Sequence, residues 1–212
     1  MKSLKTAGKP LPKTPLTELV VAGRFFHSRG WVPATAGNFS ARLDQASCAV
    51  TVSGRHKGEL TTADFMRVDL QGQALGKGKS SAETLLHCQR YRRAPATGAV
   101  LHTHSPASTV LSRAHDTIRL ENYELLKILE GIETHETVVE VPVFENDQDI
   151  ARLARAVDAQ MATGRARHAY LIRGHGLYAW GRTVSEARHR VEALEFLFEC
   201  ELSEKLLKGD HR

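Results

Sequence analysis

The sequence predicts an α/β fold in which one sheet is covered by helices. Three observations carry this expectation. Short apolar segments bounded by turn residues alternate with longer runs of helical period, the 212 residues suit one compact domain, and no internal repeat or low-complexity stretch interrupts them. A chain of this length buries about 70–75% of its unfolded surface, so it can hold a core without disulfides or a structural metal. The expected organisation is a flexible basic arm over residues 1–13 followed by a single domain over residues 14–212.

Thr14-Pro15 opens a helix whose apolar positions Leu16, Leu19, Val20, Gly23 and Phe26 keep helical spacing, and Gly30 is placed to end it. Short strands are expected over Asn38 to Leu43, Ala49 to Ser53 and Phe65 to Leu70, the last running into the Gln71-Gly72 turn. Ser80-Ser81-Ala82-Glu83 has the form of a capping box ahead of the run Leu85, Leu86 and Tyr91. Ala99 to His104 follows as a strand, Tyr123 to Leu129 as a helix, Val138 to Val143 as a strand and Ile150 to Met161 as a helix. Ala169 to Ile172 reads as a strand, and Ser185 to Leu207 as a long closing helix.

Charge narrows the function classes. The net charge is +5, but residues 1 to 13 supply Lys2, Lys5, Lys9 and Lys13 with no acid, leaving 25 basic against 24 acidic residues elsewhere. A solvated basic tail explains this without a nucleic-acid partner, since no basic stripe interleaved with aromatics accompanies it. Cys48, Cys88 and Cys200 are odd in number and lack C-x-x-C spacing, which predicts buried thiols in a reducing compartment, the cytoplasm. The longest stretch without Lys, Arg, Asp or Glu, Ala94 to Ser112, holds two histidines and two prolines and is no membrane span.

The sharpest chemical signal is His102-Thr103-His104, because residues i and i+2 of a strand face the same side. His175, in Arg173-Gly174-His175-Gly176 after an apolar strand, is a third candidate, its flanking glycines allowing a tight turn. Three neutral imidazoles and one open position are the donor set of a catalytic Zn²⁺ site, although they also suit Fe²⁺, Co²⁺ or Mn²⁺. The other eight histidines, 27, 56, 87, 115, 135, 168, 189 and 211, read as surface or packing residues. Gly37-Asn38, Ser53-Gly54 and Ser80-Ser81 place small polar groups at loop ends and a helix start, where backbone N–H groups favour a phosphate dianion.

Thr35-Ala36-Gly37-Asn38-Phe39-Ser40, Ser53-Gly54, Ser80-Ser81-Ala82-Glu83, His102-Thr103-His104-Ser105 and Gly174-His175-Gly176 resemble, in order and spacing, the class II aldolase/adducin-like family. Ser53-Gly54-Arg55-His56-Lys57, the segment from Ala82 to His87, Val143 to Ile150 and Ile172 to Trp180 look like a dehydratase branch of that family. The resemblance implies a three-layer α/β/α sandwich with a mainly antiparallel central sheet, one Zn²⁺ per subunit on His102, His104 and His175, and a homotetramer with sites near subunit interfaces. It implies a phosphate site at Asn38, Ser53, Gly54, Ser80 and Ser81, with Lys57 either joining it or remaining a solvated surface lysine. The implied reaction is loss of water from 5-methylthioribulose 1-phosphate, a methionine-salvage substrate. Its alternatives are a class II sugar-phosphate aldolase and a non-catalytic adducin-like module. Glu124 matches the acid/base position of the dehydratases, and Glu83 is the second choice or a metal neighbour, although a capping box would occupy it fully. Phe39, Tyr123, Tyr178 and Trp180 are candidates for a methylthio pocket, each equally suited to the core.

Overall fold

The computed structural model describes residues 11–209. The elements in chain order are α1 (Lys13–Ser28), β1 (Asn38–Arg42), β2 (Ser47–Thr51), β3 (Phe65–Asp69), α2 (Thr84–Arg93), β4 (Ala99–Thr103), α3 (Pro106–Ala114) and β5 (Thr117–Glu121). Then come β6 (Val138–Phe144), α4 (Ile150–Ala162), β7 (Ala169–Ile172), β8 (Gly176–Gly181) and α5 (Val184–Lys208). The eight strands form one sheet in the order β3-β2-β1-β4-β8-β7-β6-β5, and only the β6–β7 pair is parallel.

Strand alternation divides the core into two halves. Phe39, Leu101, Leu171 and Leu177 point to one face and pack with Leu19 and Phe26 of α1, Leu111 of α3 and Leu194 and Leu197 of α5. Val50, Val100, Tyr170, Tyr178 and Trp180 point to the other face, against Leu86 and Tyr91 of α2 and Leu153 and Val157 of α4. The result is the expected three-layer α/β/α sandwich with a mainly antiparallel sheet.

Several elements depart from expectation. The capping box at Ser80 does not form: α2 begins at Thr84 with Glu83 as its N-cap residue, and no side chain caps it. The carboxylate of Glu83 has stronger partners across the sheet, described below. The expected helix over Tyr123 to Leu129 is a tighter 3₁₀ turn, Glu124–Ile128, and β2 starts two residues early, leaving Ser53 in the following loop. α3, β5 and β8 are additional. α3 is stabilised by Ser105, whose side chain accepts from the Ser108 N–H, and by Pro106 in its first turn. Of the basic arm expected over residues 1–13, residues 1–10 lie outside the described residues, Leu11 packs against the core and Lys13 opens α1. Cys48 and Cys88 are buried thiols as expected, whereas Cys200 is only half-buried. Among the described residues, no helix is long and apolar enough to cross a membrane.

Candidate metal centre and its cavity

The site is built on a row of residues that cross the sheet. The β1–β4 register places Asn38 opposite His102, and the β4–β8 register places His102 opposite Tyr178. These side chains share one face, and the Tyr178 ring stacks on the His102 ring at 4.0 Å with 13° between planes. Tyr170, opposite Tyr178 on β7, continues the stack at 5.0 Å.

His104 lies just beyond the end of β4, and its ring centroid is 4.4 Å from that of His102. His175 enters from the β7–β8 turn, with ring centroids 5.0 Å from His102 and 4.5 Å from His104. One ring nitrogen from each of the three lies within 4.8 Å of the others. β8 can approach this closely because it begins with glycine: a Cβ on Gly176 would fall 1.9 Å from the Thr103 carbonyl oxygen. Gly37 meets the same demand from the β1 side. Its φ is +77°, and a Cβ there would lie 2.6 Å from the His102 carbonyl oxygen.

Hydrogen bonding fixes the protonation of His102. Its Nδ1 lies 2.9 Å from the Leu177 carbonyl, which can only accept, so Nδ1 carries the hydrogen and Nε2 turns its lone pair to the cluster. Burial pushes the His102 pKa well below the ordinary histidine value despite the nearby Glu83 charge, and pushes His104 down to about 4 with help from His175. Both are therefore neutral at physiological pH.

Glu83 completes the centre. Its Oε2 accepts from Asn38 Nδ2 at 2.7 Å and from the Tyr178 hydroxyl at 2.7 Å, and lies 3.3 Å from His102 Nε2. Its Oε1 lies 2.9 Å from His175 Nε2. Burial works against its charge, but the imidazoles of His102 and His175 and the Tyr178 hydroxyl outweigh it and hold the carboxyl below the usual carboxylate range. A lone pair on His102 and a carboxylate oxygen thus face one another with no hydrogen between them. That arrangement suits a divalent cation, and the donor set fits zinc.

Behind Glu83 runs a directional chain that the sequence reading missed. The Asn38 Oδ1 accepts from His87 Nε2, whose Nδ1 therefore accepts from the Ser40 hydroxyl at 2.7 Å, and Ser40 lies 2.7 Å from the Tyr91 hydroxyl. His87 is fully buried, and burial lowers its pKa to about 4, so it is neutral. It orients the site rather than merely packing. The available signal was the pair of polar residues at i and i+2 of β1 combined with His87 and Tyr91 at i and i+4 of α2.

A cavity of about 300 Å³ opens beside the cluster, lined by His104, His175 and Glu83 together with Asn38, Ser53, Gly54, Lys57 and Ser81. Ser80 is not among its lining residues. It instead pairs with Val52 as a single bridge. Lys57 is not a solvated surface lysine: it is 2% exposed and donates to the carbonyls of Thr35 and Arg55, both at 2.6 Å. Burial lowers its pKa to about 8, opposed by the Glu83 charge. Asn38 is turned toward Glu83 and His87.

Glu124 lies elsewhere in the chain. Its 3₁₀ turn packs through Leu126 on the α5 side of the sheet, and its carboxylate is exposed, paired with Lys127 at 2.5 Å and His135 at 3.6 Å. It does not line the histidine cavity of its own chain. Of the residues considered for a methylthio pocket, Phe39, Tyr178 and Trp180 are buried, while Tyr123 lines an open groove beside Glu124 and donates to Glu201.

Comparison with known proteins agrees with this architecture. A methylthioribulose-1-phosphate dehydratase from Methylococcus capsulatus is 56% identical over 190 residues, covering 89% of this chain and 93% of that protein. The protein of the same name from Pseudomonas aeruginosa strain PAO1 is 55% identical over 188 residues, covering 87% of this chain and 92% of that one. The crystal structure of L-fuculose-1-phosphate aldolase from Thermus thermophilus superposes with a TM-score of 0.77 at 28% identity, covering 93% of this chain and 99% of that one. The sequence pattern of the Class II Aldolase and Adducin N-terminal domain matches residues 17–202, which include the histidine cluster, Glu83 and the cavity residues. The chain belongs to the class II aldolase and adducin N-terminal domain family.

Proposed function

We propose that this protein is a zinc-dependent hydro-lyase of methionine salvage, converting 5-methylthioribulose 1-phosphate to 2,3-diketo-5-methylthiopentyl 1-phosphate and water. The observation that carries this reading is the 56% identity, over nearly the whole of both chains, to a relative named for that dehydration. The geometry supports it with neutral imidazoles, an ionised Glu83 and a buried lysine around one small cavity. His102, His104 and His175 would hold a divalent ion, which would supply a Lewis acid for negative charge developing on the substrate. The free thiols of Cys48, Cys88 and Cys200 suit a reducing cytoplasm.

The remaining chemistry belongs to side chains. The substrate phosphate is assigned to the end of the cavity lined by Ser53, Gly54, Ser81 and Lys57, where the ammonium keeps one N–H beyond its two carbonyl partners. Asn38 serves by orienting Glu83. The C3 proton, acidified by the C2 ketone, passes to a carboxylate, which then protonates the departing C4 hydroxyl. Family resemblance assigns that exchange to Glu124. Because Glu124 sits on the far layer of its own chain, the reading requires a neighbouring copy in a homotetramer to present it. Glu83 remains the alternative base beside the metal.

Zinc-loaded protein incubated with 5-methylthioribulose 1-phosphate is expected to give one product lighter by one water, and the His102→Ala, His104→Ala double variant none, as read by mass spectrometry. Two carbon fragments would make it an aldolase, and full activity of the double variant would refute the metal centre.

Glu124→Gln is expected to lower kcat by about 10²–10⁴-fold. Co-expression of Glu124→Gln chains with His104→Ala chains should restore activity through mixed assemblies. Continued inactivity of the mixture would rule out a Glu124 acting between copies.

Lys57 holds an anion only while protonated, and its lowered pKa places the loss of that charge near pH 8. Inhibition by inorganic phosphate, expressed on the dianion concentration, is therefore expected to weaken as pH rises above about 8. Lys57→Met should bind phosphate weakly without that break, and an unchanged pH profile in the variant would exclude Lys57 from the anion site.

A further inference from the structure

Glu195 lies in α5 and is fully buried. Its carboxylate accepts from two hydroxyls, Thr103 Oγ1 to Oε1 at 2.5 Å and Ser105 Oγ to Oε2. Among the described residues no cation pairs with it. Burial pushes the pKa of this carboxyl up to about 7 against the pull of its two hydroxyl donors, so keeping it charged in the core without a counter-charge opposes folding. Its position therefore calls for another explanation.

Thr103 and Ser105 are the residues on either side of His104. By strand alternation their side chains face α5, while His102 faces the opposite layer. One carboxylate thus grips the end of β4 at two points from behind the metal cluster. The grip extends further through α3. Ser105 is the N-cap of that helix, accepting from the Ser108 N–H at 3.0 Å. Thr109 of α3 donates to the His175 carbonyl at 3.3 Å, and the Gly174 N–H donates to the Ser112 hydroxyl at 3.0 Å. Both the segment carrying His104 and the turn carrying His175 are consequently tied to the same carboxylate.

We infer that Glu195 is a positioning residue for the metal centre, fixing His104 directly through Thr103 and Ser105 and His175 through the start of α3. It touches neither substrate nor metal. The inference rests on the proposed metal-binding role of the three histidines. Outer groups that orient metal ligands commonly change affinity by about 10–100-fold when altered, whereas a group that serves only stability does not.

The test is Co²⁺ binding to the metal-free full-length protein, measured by chelator competition together with the visible absorption of the bound ion. Glu195→Gln keeps the shape but replaces one acceptor oxygen by an N–H donor, so that Thr103 and Ser105 can no longer both donate to the side chain. Thr103→Val removes one grip and leaves the carboxylate in place, so it decides the matter should Glu195→Gln fail to fold. The expected result is a loss of Co²⁺ affinity of about 10–100-fold with an altered absorption spectrum, in variants whose circular dichroism matches the parent. Folded variants that bind Co²⁺ within about threefold of the parent with the parent spectrum, even if less heat-stable, would overturn the inference and leave the metal centre intact. A parent protein that binds no Co²⁺ would overturn the metal centre itself and this role with it.

Discussion

The structure depends on one register. Pairing of β1, β4 and β8 sets Asn38, His102 and Tyr178 side by side on a single face of the sheet. From that row two hydrogen bonds converge on Oε2 of Glu83, which is thereby drawn out of the local capping role its sequence suggests. A slip of one residue in either pairing would turn His102 to the α5 face and remove the site altogether. The two glycines that permit the close approach, Gly37 and Gly176, serve this register rather than flexibility.

The two faces of β4 divide the work. On one side lie the cavity and a chain of neutral donors and acceptors ending at Tyr91; on the other, the buried carboxylate of α5 holds the same strand. Burial drives His102, His104 and His87 neutral, leaving Glu83 as the charge beside the imidazoles. A divalent cation joined to this set would give it a net positive charge next to Lys57, a combination suited to a dianionic sugar phosphate. The fold is shared with an L-fuculose-1-phosphate aldolase, so the fold alone does not decide the reaction.

The histidine cluster was legible because strand alternation is local: His102-Thr103-His104 carries its own geometry, and the glycines around His175 announce a tight turn. The sheet covered by helices was legible for the same reason. What escaped depended on partners distant in sequence. Glu83 satisfies the capping pattern, and nothing near it reveals that Asn38 and Tyr178 compete for its carboxylate from 45 and 95 residues away. His87 looks like any packing histidine until β1 is laid beside α2. α3 begins with a serine cap and a proline, but the hydroxyl residues of its buried face, Ser108 and Ser112, hide its helical period. β8 was masked because its glycine-bounded sequence reads first as a turn. Glu124 matches a family position, but nothing local to it shows that its turn packs on the α5 side of the sheet, away from the cavity of its own chain.

We propose that His102, His104 and His175 hold one metal ion beside Glu83. The most direct test is a crystal structure of the zinc-loaded protein with diffraction recorded on both sides of the zinc absorption edge. One anomalous peak per chain is expected within bonding distance, about 2.0–2.1 Å, of a ring nitrogen from each of the three histidines, with Asn38 and Tyr178 still holding Glu83. An ion bound elsewhere, or a peak that leaves any of the three imidazoles uncoordinated, would contradict it.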